Sequence, residues 1–310
     1  MKTKKLLALL LTGAMTATLL AGCGSSNNNA DGGAADSGAD AAQSDLAYVQ
    51  DKGTLVVGIT EFEPMDYQDA SGEWIGFDAD LAKAFAESLG VKAEFQLIDW
   101  NSKVMELDGK TIDVVWNGMT LTDEVKSAMS CSNAYCSNAQ VVIVPSDKAA
   151  DYQDAESVKG LSFAVETGSA GKDEVEALGA SFTEVADQAT ALMEVASGTS
   201  EAAVIDSLMA AAMVGEGTSY ANLTYTVGLN SEEYGVGFRK GSDLTEKLNE
   251  FFKTCYEDGT MMKIAEQYGV QAAQASFFRQ SPCHAAPLPG RPSNPRHVRG
   301  FCAFLRIPLL

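Results

Sequence analysis

The chain has 310 residues, 46% of them hydrophobic, and its 22 Lys and Arg against 42 Asp and Glu give a formal net charge of −20 at pH 7. Three lysines lie before residue 24 and five arginines after residue 271, so residues 24–272 keep 14 basic side chains against all 42 acidic ones, a net charge of −28. This balance argues against nucleic-acid binding, which requires a basic surface. Without its two atypical ends the chain keeps about 225 residues, enough for one large domain or two small ones.

Residues 1–22 are typical of a signal peptide. Three lysines among the first five residues precede an apolar run, Leu6 to Leu20, that is short for a membrane-spanning helix. The run ends in Leu20-Ala21-Gly22-Cys23, which resembles the bacterial lipobox, whose cysteine is acylated and becomes the first mature residue. The resemblance predicts a palmitate-type anchor on Cys23 that holds the protein outside the cell membrane. A plain signal peptide with a chance cysteine is the alternative.

Residues 23–44 follow as the acylated cysteine and a predicted flexible linker. From Gly24 to Ser44 the chain holds only Gly, Ser, Asn, Ala, Asp and one Gln. Such a segment cannot bury enough apolar surface to fold.

The folded part alternates short apolar runs with amphipathic stretches. The runs predict strands at Thr54–Ile59, Ala93–Leu97, Ile112–Trp116, Gln140–Val144, Leu161–Val165, Ala202–Ile205, Leu223–Val227 and Tyr234–Phe238. The amphipathic stretches predict helices through Phe77, Leu81, Phe85 and Leu89 with a stop at Gly90, then from Gly168–Gly171 to Leu178, and at Ala189–Ala196, Ser207–Val214, Leu244–Tyr256 and Met261–Tyr268. Asp78 and Asp80 in the first turn of the first helix are interpreted as caps. The alternation predicts an α/β fold with mostly parallel sheets, with ligands bound beyond the carboxyl ends of the strands.

Residues 273–310 differ from the rest of the chain. After Gln271 there is no acidic residue, and this stretch holds five of the six arginines, six of the eight prolines and both histidines. We expect this tail to be disordered or the artefact of a shifted reading frame. A basic arm for anionic lipid or nucleic acid is the alternative.

Cysteine and histidine usage excludes several chemistries. Cys131, Cys136 and Cys255 are the cysteines of the folded part; the first two could pair in an oxidising compartment, with two free thiols as the alternative. Both histidines lie in the tail, so neither a metal site nor a Ser-His or Cys-His nucleophile is expected. We expect no enzyme activity, no cofactor and no metal.

Six stretches between residues 45 and 270 resemble, in order and spacing, the extracellular amino-acid-binding proteins of ABC importers, solute-binding protein family 3. They are Gly53–Gly58, Gly72–Ala82, Leu107–Val115, Asn117–Thr122, Ser132–Tyr135 and Tyr234–Gly241. The resemblance implies a two-lobed, periplasmic-binding-protein-like α/β fold with two hinge strands. Lobe 1 would span 45–143 plus 236–272 and lobe 2 would span 144–235, with crossings near Val144-Pro145 and from Gly228 to Tyr234. It also implies a monomer that captures an amino acid between its lobes and delivers it to an ABC importer permease.

The resemblance assigns roles to the ends of several predicted strands. Asp206 matches the aspartate that holds the ligand ammonium, with a helix N-cap as the alternative. Gly168, Ser169 and Ala170 match a turn whose backbone amides meet the ligand carboxylate, with an ordinary strand–helix turn as the alternative.

The predicted first lobe supplies the remaining candidates. Gly118 and Thr120, with the neighbouring Asn117, match positions whose backbone and hydroxyl meet the ligand. Phe62 and Trp116 are candidates to stack on the ligand side chain, and either could be core. Glu61 and Glu63 flank the mouth, where they would favour positive charge.

One position departs from the family pattern. An arginine usually follows the segment that reads Gly118–Thr122 here and forks onto the ligand carboxylate, a strong charge-assisted contact. Val125 occupies that place. Either amides and hydroxyls alone hold the carboxylate, or the ligand is a polyamine-like cation that lacks one. A dehydratase-type enzyme and a sensor lobe on the same scaffold are further alternatives.

Overall fold

The structure is a computed structural model that describes residues 44–274. The predictions for the signal peptide, Cys23, the linker before residue 44 and the tail after residue 274 lie outside the described residues. The helices are α1 Asp45–Lys52, α2 Phe77–Ser88, α3 Lys103–Asp108, α4 Asp123–Ala128, α5 Ala155–Val158, α6 Ala170–Leu178, α7 Gln188–Ser197, α8 Ser207–Met213, α9 Leu244–Asp258, α10 Thr260–Gln267 and α11 Gln271–Gln274. Two 3₁₀ helices span Trp100–Ser102 and Ser146–Asp151.

The strands are β1 Thr54–Ile59, β2 Tyr67–Gln68, β3 Trp74–Ile75, β4 Lys92–Leu97, β5 Val114–Thr120, β6 Ser130–Cys131, β7 Cys136–Asn138, β8 Gln140–Pro145, β9 Ser162–Glu166, β10 Ser181–Val185, β11 Ala202–Asp206, β12 Leu223–Gly228 and β13 Glu232–Phe238. They form two large sheets and a small hairpin of β2 and β3. The first sheet has the order β4-β1-β5-β13-β6, with β7 also paired to β13. The second sheet has the order β10-β9-β11-β8-β12.

The prediction of mostly parallel sheets is wrong for half of each sheet. β1 is parallel to β4 and β5, and β9 is parallel to β10 and β11. The strands nearest the chain crossings, β13 and β8, pair antiparallel with their neighbours. They run in the opposite sense because each belongs to a segment that passes from one sheet to the other rather than to a strand–helix–strand repeat.

The chain passes between the sheets at two short segments. β7 lies in the first sheet and β8 in the second, so the first passage is at Ala139. The return lies between Gly228 and Glu232, within the range predicted for the second crossing. The predicted lobe limits at 143/144 and 235/236 each cut through a strand, because β8 belongs wholly to the second sheet and β13 wholly to the first. The limits of the two lobes stay a prediction, and we revise them to these passages.

Local sequence explains the elements that carry the cleft. Phe77, Leu81 and Phe85 recur every four residues and are fully buried on α2, and Gly90 follows with a φ of +79°. The core of the first sheet is aromatic: Trp116 packs edge-on against Phe252 with ring centroids 5.5 Å apart. No helix within residues 44–274 is long and apolar enough to span a membrane.

Candidate functional site

A cavity of about 300 Å³ lies between the carboxyl ends of strands from both sheets. The first sheet contributes the residues that end β5 and those that follow β1. The second sheet contributes the end of β11 and the turn from β9 into α6. Side chains and amides from separate parts of the chain meet here because the parallel strands of each sheet end at a common edge.

The cavity brings together eight of the eleven candidate site residues. They are Phe62, Asn117, Gly118, Thr120, Gly168, Ser169, Ala170 and Asp206. Their roles toward a ligand stay predictions, but their shared cavity is a geometric fact that the sequence could not supply.

Trp116 and Glu61 do not line the cavity. The stacking role of Trp116 is wrong: the side chain is fully buried against Phe85 and Phe252 and does not line the cavity. Glu61 is half-buried beside the site, and its pKa is raised by that burial and by the charge of Asp187. Glu63 is likewise absent from the cavity wall.

Asp206 is held by four neutral donors. Its Oδ1 accepts hydrogen bonds from the Tyr234 hydroxyl at 2.6 Å, from Gln140 Nε2 at 3.0 Å and from Asn138 Nδ2. Its Oδ2 accepts one from Gln188 Nε2, and the backbone amide of Asp206 donates back to Gln188 Oε1 at 2.8 Å. Oδ2 therefore keeps capacity for a further donor, such as a ligand ammonium.

Asp206 does not cap helix α8 with its side chain. Asp206 is the N-cap residue of α8 by position, but its side chain makes no capping hydrogen bond. Burial and the nearby Glu232 raise the pKa of Asp206 to about 7, while the hydrogen bonds from Tyr234 and Gln188 oppose the rise. A buried carboxylate with this pKa gains from a cationic partner, because that partner stabilises its charged form.

Glu166 is an acidic wall residue that sequence reasoning missed. It ends β9, is 3% exposed, and its Oε1 has no hydrogen-bond partner among the described residues. Burial, followed by the charge of Asp206, raises its pKa to about 8. Its position, two residues before Gly168 at the end of a predicted strand, was the available signal.

The buried side chain of Asp78 holds Gly118, one of the residues that line the cavity. Gly118 donates its amide to Asp78 Oδ2 at 2.7 Å, and Tyr135 donates its hydroxyl to the same oxygen at 2.7 Å. The interpretation of Asp78 as a cap is therefore wrong: the side chain is buried and crosses to β5 instead of capping α2. The amide of Gly118 is thereby occupied and is not available to a ligand.

The polar atoms of the Asn117 side chain are likewise occupied by hydrogen bonds within the protein. Its Oδ1 accepts from the Thr60 amide at 3.0 Å, and its Nδ2 donates to Thr60 O at 3.0 Å and to Asp66 Oδ2 at 2.8 Å. The side chain thus positions the end of β1 against β5. Asp66 is fully buried beside Asp78, and burial together with that neighbour raises its pKa well above the usual range.

The N-terminus of α6 forms another wall. Ser169 caps the helix by accepting from the Lys172 amide at 3.1 Å, and its own amide donates to Glu166 O at 3.2 Å. The next two amides, of Ala170 and Gly171, are in the first turn and have no intrahelical acceptor. They and the positive end of the helix dipole favour an anionic group.

Val125 and Lys103 complete the wall that faces this turn. Val125 lines the cavity from α4, as its alignment with the missing arginine predicts. Lys103 lines it from the start of α3 and is 9% exposed. Sequence reasoning missed Lys103, although it shares one helical face with Trp100, Val104 and Leu107, and a lysine on an apolar face signals a buried amine.

Among residues 44–274, no group of three or more His, Cys, Asp or Glu side chains is arranged to hold a metal ion. Cys131 and Cys136 are both free thiols. The cavity therefore offers hydrogen-bonding groups, carboxylates and amines from two sheets.

Comparison with known proteins agrees with this architecture. Residues 55–271 match the model of the bacterial extracellular solute-binding proteins, family 3. The chain belongs to this family. The family 3 chain is 31% identical over 287 residues to the probable histidine-binding protein of Neisseria gonorrhoeae. This match covers 88% of this chain and 100% of that relative. It is 28% identical over 272 residues to the arginine-binding extracellular protein ArtP of Bacillus subtilis strain 168. That match covers 86% of this chain and 98% of that relative.

A solved structure extends the likeness to the fold. The ancestral amino acid-binding protein AncCDT-1, described as a precursor of cyclohexadienyl dehydratase, is 31% identical with a TM-score of 0.67 and covers 73% of this chain and 99% of its own. The predicted α/β class, two-lobed fold and family are confirmed for this family 3 protein.

Proposed function

We propose that this family 3 protein captures an amino acid between its two sheets and delivers it to the permease of an ABC importer. One observation carries the proposal: an acceptor for an ammonium and a donor for a carboxylate line the same cavity of about 300 Å³. Asp206 supplies the first, and the amide of Ala170 in the first turn of α6 supplies the second. An α-amino acid presents both charged groups.

The names of the relatives support an amino acid as the ligand. They describe proteins that bind histidine and arginine, and the solved neighbour is described as an amino acid-binding protein. AncCDT-1 is itself described as an amino acid-binding protein, and its description as a precursor of a dehydratase carries no enzyme activity to this chain.

The charges on the wall favour a ligand with a net positive charge. Four acidic residues line the cavity, Glu124, Glu166, Asp173 and Asp206, against two lysines, Lys103 and Lys172. Burial raises the pKa of Glu166 and of Asp206, so a bound cation would stabilise their charged forms. A cationic amino acid fits this excess. The same excess supports a second candidate, a polyamine-like cation without a carboxylate. Val125 is compatible with such a ligand, because its side chain has no donor that would require a carboxylate.

We further propose that the protein is held outside the cell by a lipid on Cys23, as the lipobox indicates. Detergent partitioning of the wild type and of Cys23→Ser tests this part. The wild type is expected in the detergent phase and the variant in the aqueous phase; equal partitioning would contradict the anchor.

Calorimetry of the purified protein against the twenty amino acids, putrescine and spermidine tests the ligand class. We expect heat from one class only and no chemical change in the ligand. Asp206→Ala should weaken binding by about 2–5 kcal/mol, because the ligand cation is left buried without its partner. Glu250→Ala, on the exposed face of α9, removes the same charge and should leave binding unchanged. Equal affinities for the wild type and Asp206→Ala would place the ammonium elsewhere.

A further inference from the structure

We propose that Lys103 is the cationic partner of the ligand α-carboxylate and takes the role that Val125 cannot perform. The inference rests on the proposed capture of an amino acid and names the group that selects for its carboxylate.

The geometry of Lys103 points its amine at the turn that leads into α6. Its Nζ donates to Trp100 O at 3.1 Å, which is on its own side of the cavity, and to Gly168 O at 3.3 Å on the other. The ammonium also lies 4.8 Å from the centre of the Trp100 ring. A lysine has three N–H donors, and these two bonds leave one for a ligand.

The charge of Lys103 is buried without an ion pair. The residue is 9% exposed, and within residues 44–274 no carboxylate lies within 4.0 Å of its Nζ. Burial lowers the pKa of Lys103, and the more distant Glu166, Glu124, Asp173 and Asp99 only oppose that fall. A buried charge is costly unless it is paired, so an anionic group brought by the ligand offsets a cost that the empty site carries.

The surroundings place that anion between Lys103 and α6. Gly168, whose carbonyl accepts from Nζ, is followed directly by Ser169 and by Ala170, which lines the cavity and whose amide has no intrahelical acceptor. Asn101 also packs against Gly168, since a Cβ added there would lie 2.9 Å from Asn101 Oδ1. The Lys103 amine and the start of α6, with the cavity-lining Ala170, therefore lie next to each other at the same part of the cavity.

The same arrangement sets a specificity. Val125 lines the cavity but has no polar side-chain atom, so Lys103 is the residue of this wall that brings a positive charge from the first-sheet side. A free α-carboxylate gains from this charge. An α-carboxamide or a decarboxylated amine does not, and leaves the buried ammonium unpaired.

Paired ligands test the proposal in the full chain. Calorimetry would compare L-arginine with L-argininamide, or the corresponding pair for whichever of the twenty amino acids binds the wild type. The wild type is expected to prefer the acid at least tenfold. Lys103→Met should weaken binding of the acid at least tenfold and change binding of the amide by less than about threefold. Lys103→Arg should retain most of the preference.

A second variant and a second measurement guard against a folding defect. Adding Val125→Arg to Lys103→Met should restore the preference for the acid, because the guanidinium enters the same cavity. In the wild type, the ¹³Cε resonance of Lys103 should report a higher pKa with L-arginine bound than with L-argininamide. Equal losses for acid and amide, or a Lys103 pKa that neither ligand moves, would overturn the role of Lys103 alone. A wild type that binds none of the amino acids would overturn the proposed function as well.

Discussion

Tyr234 donates its hydroxyl to Oδ1 of Asp206 at 2.6 Å, and this hydrogen bond joins β13 of the first sheet to β11 of the second at the wall of the cavity. Both side chains are buried. Because Gln140 and Asn138 donate to the same oxygen from the first chain passage, Asp206 organises the junction between the sheets and also faces the cavity. A residue expected to meet the ligand is therefore also part of the junction between the two sheets.

Tyr234→Phe removes one donor to a buried carboxylate and leaves the ring in place. We expect the free energy of unfolding to fall by about 1–3 kcal/mol at pH 8, the scale of a hydrogen bond to a charged group. The matched control is Tyr225→Phe on β12, where the side chain is exposed and no change is expected. Chemical denaturation of the two variants checks the prediction, and equal stabilities would contradict it.

The periodic elements of this fold were readable from the sequence, because their pattern is local. The four-residue recurrence on α2 identified a buried helix face, and the β1 range was predicted as Thr54–Ile59, as observed. The sequence did not show which side chains of β5 face which side of the sheet. Val114 and Trp116 enter one core and Val115 and Met119 another, so a strand buried on both sides shows no alternation that could assign Trp116.

Much of the site depends on contacts between distant parts of the chain, which no local pattern encodes. Asp78 meets Gly118 across 40 residues, and Lys103 meets Gly168 across 65. The family resemblance supplied eight cavity residues, but it could not supply the partners that occupy the Gly118 amide and the Asn117 side chain. Those partners decide which groups remain free for a ligand.

Asp78 makes stability depend on pH. Burial raises its pKa from 3.8 to about 7 in the folded protein. The unfolded chain loses this proton first, so the stabilisation is complete below about pH 4 and is lost as the pH rises through about 7, by at most about 1.4 kcal/mol per pH unit. Asp66, with its raised pKa, acts in the same direction.

Asp78→Asn should therefore reduce the fall in stability between pH 4 and pH 8. The amide oxygen of the new asparagine can still accept from the Gly118 amide and the Tyr135 hydroxyl, so both hydrogen bonds persist. Asp69→Asn is the matched control, because that carboxylate is exposed and its pKa is lowered instead. Denaturation curves at several pH values decide; an unchanged fall in Asp78→Asn would show that Asp78 is charged throughout.

Gly118 is required beneath Phe62. Its φ is +55°, and an added Cβ would lie 2.5 Å from Phe62 Cε1 and 3.1 Å from Tyr234 Cε2. Gly118→Ala should lower the free energy of unfolding by about 2–5 kcal/mol through overpacking and left-handed strain, and should weaken binding because Phe62 lines the cavity. Gly90→Ala isolates the strain: its φ is +79° with no atom within 4 Å of the added Cβ, so about 1–2 kcal/mol is expected.

Val125→Arg tests the ligand class and the role of Lys103 together. If the ligand is an α-amino acid, the new guanidinium should strengthen binding by roughly 1–3 kcal/mol, the scale of a charged hydrogen bond. If Lys103 already meets the carboxylate, the gain should be smaller in the wild-type background than in Lys103→Met, since two cations then share one anion. A polyamine such as spermidine should instead bind more weakly, because like charges face each other.

The control for Val125→Arg is Ser127→Arg, which adds the same charge at an exposed position of α4 that does not line the cavity. It should leave calorimetric affinities unchanged for both ligand classes. If Val125→Arg also leaves them unchanged, its side chain does not reach the ligand and the alignment of this segment with the family arginine fails. If the gain is equal with and without Lys103, the two cations act on separate groups, and the carboxylate has to be assigned to the amides of α6 alone.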